Sequence, residues 1–129
     1  MDTIMTFMPE NALVWCEIPV KELKKAMIFY DAVFGFETKL DETGANAVAF
    51  IPTKTPSGVA GHIYEGTPAA KGSGPTLHMA VPGTVEEAAD RCWTAGGTVI
   101  GPIIEIPPGR FQYIQDPDGN SVGLFEAKG

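Results

Sequence analysis

Thr55-Pro56-Ser57-Gly58 and Asp116-Pro117-Asp118-Gly119 stand 61 residues apart, and reading them as one motif written twice decides the fold. In the second, Pro117 fixes φ at one corner and Gly119 supplies a positive φ, which is tight-turn chemistry, and the first copy repeats the Pro-x-Gly pattern. The same shift lays Val20 on Val81, Gly35 on Gly96 and Phe50 on Phe111. An amphipathic stretch separates the first two landmarks in each copy. The chain therefore reads as a duplicated module, two similar half-sheets made from one chain, and a pocket between them is expected to be lined at paired positions.

Working outward from the turns, residues Met1 to Asn11 carry little pattern and read as a loose arm or edge segment. Leu13 to Val20 is β-rich, with Val14, Cys16, Ile18 and Val20 apolar at the even positions. From Glu22 the spacing changes to Leu23, Ala26, Met27, Tyr30, Val33 and Phe34, a helical stripe that Gly35 stops. Short β-like runs follow at 36–40, 47–51 and 59–64. Glu65 to Pro75 is rich in Gly, Ala and Pro and reads as a linker between module one, about 12–64, and module two, about 76–126. The second copy repeats the order: a strand at 76–81, a helix striped by Val85, Ala88, Ala89 and Cys92, then Gly96-Gly97. Strands near 98–100, 111–115 and 121–125 complete it. Each unit is βαβββ. One copy cannot cover its own sheet, so the two must pack together as a single α+β domain.

Composition narrows the function. The 129 residues, 44% of them hydrophobic and 19% charged, are enough for one globular core. A net charge of −7 opposes docking on nucleic acid or on anionic membranes. No apolar run is long enough to span a bilayer, and the start lacks a secretory pattern. Cys16 and Cys92, each in an apolar setting, read as reduced core thiols of a cytoplasmic protein.

The pieces Ile18-Pro19-Val20, Ala26-Met27-Ile28-Phe29-Tyr30, Val33-Phe34-Gly35-Phe36, Ala95-Gly96-Gly97 and Asp116-Pro117-Asp118-Gly119-Asn120 resemble the vicinal oxygen chelate superfamily. That group includes glyoxalase I, bleomycin-resistance proteins and extradiol dioxygenases, and the resemblance runs from about Leu13 to Glu126. It implies paired βαβββ modules forming a cupped, open mixed barrel, a site inside the cup, and often a homodimer. The dimer interface is expected along the first strand of each module.

Strand alternation names the residues facing the cup. With the even positions of the first strand under the helix, Trp15 and Glu17 face the other way. The repeat adds Thr76 and His78, and the last strands add His62, Tyr64 and Phe125. The resemblance implies four metal-ligand positions, which fall on Trp15, His62, Thr76 and Gly123. Only His62 ligates strongly there; indole has no lone pair for a metal, threonine is a weak ligand and glycine has no side chain. A single strong ligand does not hold a transition metal, so no cofactor is expected at that position. An alternative is a divalent metal at a shifted site made by Glu17, His62 and His78, with Glu17 as ligand or catalytic base.

Asp116 and Asp118 are read as turn residues, because Thr and Ser stand at the matching places in the first copy. Arg110 follows Pro107-Pro108-Gly109 and has two readings: a carboxylate or phosphate clamp over the cup, or an exposed side chain at a loop end. Two functions follow. One is a module that binds a small organic molecule between Trp15, Tyr64 and Phe125, oriented by Glu17, His62 and His78. The other is a metal-dependent lyase, isomerase or dioxygenase at the shifted site.

Overall fold

The computed structural model describes residues 6–129; positions 1–5 of the expected loose arm lie outside the described residues. The element order is β1 (Glu17–Val20), α1 (Leu23–Phe34), β2 (Lys39–Asp41), β3 (Val48–Phe50) and β4 (His62–Glu65). After these come β5 (Leu77–Ala80), α2 (Val85–Ala95), β6 (Thr98–Ile106), β7 (Gly109–Gln115) and β8 (Ser121–Ala127). This is βαβββ twice. The strands form two four-stranded mixed sheets, ordered β1-β4-β3-β2 and β5-β8-β7-β6, and no strand of one sheet pairs with the other among the described residues. In each sheet the first strand of the module pairs in parallel with the last, and the other pairs are antiparallel.

The repeat holds residue for residue where it matters most. Ile18 pairs with Ile63, and 61 residues on Met79 pairs with Leu124; Glu17 pairs with His62, and His78 with Gly123. Both turns sit between the third and fourth strands of their modules. Each is closed the same way, Gly58 N–H donating to Thr55 O at 3.0 Å and Gly119 N–H to Asp116 O at 2.9 Å. The middle strands break the shift. Phe50 pairs with His62 whereas Tyr113 pairs with Gly123, so Tyr113, not Phe111, is the counterpart of Phe50. Module one carries two extra residues between that strand and its turn.

Both helices end as their glycines dictate, with Gly35 at φ 71° and Gly96 at φ 99°. Their starts reveal a second duplicated device. Glu22 gives α1 no side-chain cap; instead Leu23 N–H donates to Glu65 Oε2 at 3.1 Å. In module two Thr84 and Glu87 form a capping box, and Val85 N–H donates to Glu126 Oε1 at 2.9 Å. Glu65 and Glu126 are repeat partners, each reaching from the last strand to the first amide of its helix. Glu65 therefore belongs to β4 rather than to the linker.

Ile18, Val20, Phe29, Tyr30, Val33, Ile63, Val85, Ala88, Cys92, Ile114, Val122 and Leu124 are all buried in one core that both modules share. Truncating a ring such as Phe29 to alanine removes about 3–5 kcal/mol from such a core. A polar lock joins the modules inside it. Tyr30 Oη, fully buried on α1, donates to Asp116 Oδ2 at 2.7 Å. Asp116 Oδ1 accepts from Asp118 N–H and Asn120 N–H, both at 2.9 Å. Asn120 Nδ2 donates to Asp116 Oδ2 and, across the modules, to Pro19 O. Asp116 is thus a turn residue, as expected, and also the anchor of the other module's helix. Burial pushes the Tyr30 phenol well above its ordinary range, and the Asp116 carboxylate adds to the rise.

Candidate functional site

Cross-strand partners share a face, so pairing defines the surface turned away from the helices. In module one it carries the row Glu17, His62, Phe50 and Lys39, one residue from each strand. The next row holds Pro19, Tyr64, Val48 and Asp41. Module two presents His78, Gly123, Tyr113 and Ile100, with Ala80, Phe125 and Phe111 in the adjacent row. Glu17, His62, Tyr64, His78 and Phe125 therefore lie on the helix-free faces, and Trp15, just before β1, stands against His62 and Phe50. Leu13–Val14 departs from the expected alternation: the regular strand begins only at Glu17, and Val14 is exposed rather than covered by a helix.

Each face gathers aromatic rings around one imidazole. Around His62 stand Trp15 at 5.9 Å between centroids, Tyr64 at 6.0 Å and Phe50 at 6.2 Å. Around His78 stand Phe111 at 4.8 Å and Tyr113 at 5.8 Å. Phe50, Phe111 and Tyr113 were not among the expected lining residues. Their signal was the alternation of the middle strands, with Phe111 and Tyr113 two residues apart.

Between the clusters lies a largely apolar groove of 510 Å³. Leu13, Trp15 and Cys16 form one wall, Ile51 to Thr53 and Ala60 close the end, and Thr76 to Ala80 along β5 form the other wall. Trp15 belongs to both the groove and the His62 cluster; His78 belongs to both the groove and the module-two cluster. The groove thus reaches His78 directly and touches the His62 cluster only through Trp15. Thr76 lies in it with its hydroxyl bound to Ser121 Oγ at 2.5 Å. Glu17, His62, Tyr64 and Phe125 stand outside its walls.

The His62 ring is hydrogen-bonded on one nitrogen and faces a carboxylate with the other. Trp15 Nε1–H donates to Nδ1 at 2.9 Å, and Nε2 faces Glu17 Oε2 at 3.7 Å, beyond hydrogen-bond reach. Glu17 is mostly exposed and His62 mostly covered. In module two the space over Gly123 is occupied by the neighbouring imidazole: a Cβ there would lie 2.6 Å from His78 Cε1 and 2.8 Å from Cγ.

A divalent ion does not fit these residues. His62 and Glu17 offer two donors, and His78 is held in the other sheet against Phe111 and Tyr113. No three His, Cys, Asp or Glu side chains converge on a common point among the described residues, so the shifted Glu17, His62 and His78 set is not assembled. Arg110 is not over the groove either. It sits within β7 in register with Glu105 and Glu126, on the helix side, where it binds Glu126 and grips Glu86 with two nitrogens. These bonds lower Glu86 to about 2 and raise the guanidinium further. The Pro107-Pro108 segment is a hairpin corner between two long strands, which is why no loop end frees the arginine. The thiols are unreactive in character: burial raises Cys16, with Glu17 adding, and burial pushes Cys92 up to about 11.

The sequence profile of the Glyoxalase/Bleomycin resistance protein/Dioxygenase superfamily matches residues 12–124. The chain belongs to that superfamily. Solved structures agree on the fold. A glyoxalase/bleomycin resistance protein from Albidiferax ferrireducens T118 superposes with a TM-score of 0.68 at 21% identity, over 92% of this chain and 100% of the other. TnmS3, an antibiotic binding protein from Streptomyces sp. CB03234, gives 0.63 at 24% identity over 95% and 100%. FosX, a fosfomycin resistance protein from Listeria monocytogenes, gives 0.63 at 18% identity over 95% and 96%. No curated protein matches the chain. At these identities the likeness is one of fold, and no helix among the described residues is long and apolar enough to cross a membrane.

Proposed function

We propose that this protein binds a small, flat organic molecule on the helix-free faces of its two sheets, without a metal, as a homodimer in the cytoplasm and with no nucleic-acid partner. The observation that carries the reading is an apolar groove lined by His78 and by Trp15, each a member of a cluster of aromatic rings around an imidazole. Trp15, Tyr64, Phe50, Phe111, Tyr113 and Phe125 supply ring faces, a type of surface that takes up planar ligands with little ordering cost. Glu17, His62, Thr76 and His78 supply the few polar atoms that orient one. The superfamily's metal chemistry is set aside on donor grounds, since the positions that would ligate hold Trp15, Thr76 and Gly123 beside His62. The dimer is supported by the edge strands β1 and β5 and by the exposed apolar side chains Phe7, Met8, Leu13 and Val14 that precede β1 in the chain.

The test uses untagged protein titrated with a library of planar aromatic compounds, followed by Trp15 fluorescence in a Trp93→Phe background, with metal content measured on the same sample. Saturable binding that His62→Gln or His78→Gln weakens, in protein free of transition metal, is the expected result. Stoichiometric metal, or binding that both variants leave untouched, overturns the reading.

A further inference from the structure

We propose that Trp15 is a positioning residue that fixes the His62 imidazole as a hydrogen-bond donor, so that the His62–Glu17 pair selects uncharged ligands carrying an acceptor next to a donor, as a carboxamide does. The inference rests on the preceding reading of the site and adds the chemical class of ligand.

An indole N–H can only donate. Because Trp15 Nε1–H points at His62 Nδ1 from 2.9 Å, that nitrogen must offer its lone pair, and the ring keeps its proton on Nε2. Nε2–H is then the ring's remaining donor, on the side of Glu17. It is not consumed by that carboxylate, whose Oε2 stands 3.7 Å away. Glu17 carries no other side-chain ion pair among the described residues and is 62% exposed, so its carboxylate is a free acceptor beside the free donor. One N–H and one carboxylate oxygen less than 4 Å apart form a two-point template. A carbonyl oxygen on Nε2–H with its own N–H or O–H on Glu17 completes both. A ligand carboxylate satisfies the first and is repelled by the second.

Phe50 and Tyr64 flank the imidazole at 6.2 and 6.0 Å between centroids, so a ring attached to that group has aromatic walls to lie against. The repeat underlines the point. In module two the counterpart of Glu17 is His78, and the counterpart of His62 is Gly123, so the same two-point template is not built twice.

The experiment compares three compounds of matched shape, benzamide, methyl benzoate and benzoate, by chemical-shift titration of isotope-labelled full-length protein. Trp15→Phe and Glu17→Gln are run beside the parent, with melting curves to confirm that each is folded. In the parent, benzamide is expected to bind about tenfold more tightly than methyl benzoate, which leaves the carboxylate unmatched, and benzoate more weakly still. Trp15→Phe keeps a ring but frees Nδ1, and is expected to collapse the preference for benzamide over methyl benzoate to within about twofold. Glu17→Gln is expected to raise benzoate relative to benzamide. The Trp15 indole N–H resonance is expected to shift in His62→Phe, which reports the bond directly.

Equal binding of the three compounds at the His62 face, or a benzamide preference that Trp15→Phe leaves undiminished, overturns the inference while leaving the aromatic site in place. Shifts confined to other surfaces, or no shifts at all, remove the preceding reading as well.

Discussion

Module two is built more heavily than module one. Strands β6, β7 and β8 run nine, seven and seven residues, against three, three and four for β2, β3 and β4. Its helix has a capping box and its last strand is tied by the Glu86–Arg110–Glu126 cluster; α1 has only Glu65. Yet the register of the first and last strands is the same in both, to the residue. The difference shows what duplication leaves free. Pairing and turn closure are shared, while the chemistry on the helix-free face has diverged, with a histidine on β4 in one module and on β5 in the other.

The turns give the sharpest way to break that comparison. Thr55 and Asp116 are equivalent in sequence and in topology, but Thr55 is exposed and Asp116 is buried under four donors. Asp116→Ala strands the Tyr30 hydroxyl, the Asn120 amide and two turn N–H groups, at an expected cost on the order of 3–4 kcal/mol. Thr55→Ala is expected to stay within about 0.5 kcal/mol. Denaturant unfolding of both variants measures the contrast; similar costs would mean that the inter-module lock is not formed.

The lock also has a pH signature. Burial raises the folded-state pKa of Tyr30 above its ordinary value, so the folded protein holds this proton more tightly than the unfolded chain does. Its contribution is complete below about pH 10, where an unfolded tyrosine still carries its proton. It is lost as pH rises from there through the folded value, because the unfolded chain ionises first. Stability is expected to fall with a slope reaching about 1.4 kcal/mol per pH unit from this group. Tyr30→Phe costs about 1–2 kcal/mol at neutral pH and flattens the alkaline limb. An alkaline limb unchanged in Tyr30→Phe would place the source of that fall elsewhere.

What was legible in the sequence follows from these contrasts. The Pro-x-Gly turns and the two helix stops were readable because proline fixes φ and glycine alone enters the left-handed region cheaply, whatever surrounds them. The face of β1 and β5 was readable from alternation, which depends only on the pleat. The roles of Glu65, Arg110 and Tyr30 were not. Each depends on a partner more than 15 residues away, Leu23, Glu126 or Asp116, and no local pattern announces such a meeting. Phe50 was matched to Phe111 because the two extra residues before the first turn shift the middle strand without disturbing the turn itself. The candidate site was half legible. Residue types and faces could be read, but the separation of His78 from Glu17 and His62 is set by how the two sheets pack.

The smallest effect concerns the divergence itself. His62 and Gly123 occupy one place in the repeat, and the glycine leaves room for the ring that His78 extends over it. Adding a Cβ in Gly123→Ala drives it against His78 Cε1 and Cγ, at 2.6 and 2.8 Å. His78 is exposed, so its ring is able to swing away, giving up its edge contact with Phe111 at 4.8 Å. The expected cost is about 1 kcal/mol, well short of a clash with buried backbone. In a His78→Ala background the obstacle is gone, and Gly123→Ala should then be neutral to within about 0.3 kcal/mol. A double-mutant cycle by chemical denaturation measures that coupling, because the two residues touch directly. Equal costs in the two backgrounds would show that His78 does not cover Gly123. The two modules would then differ in sequence at this position without differing in the shape of their faces.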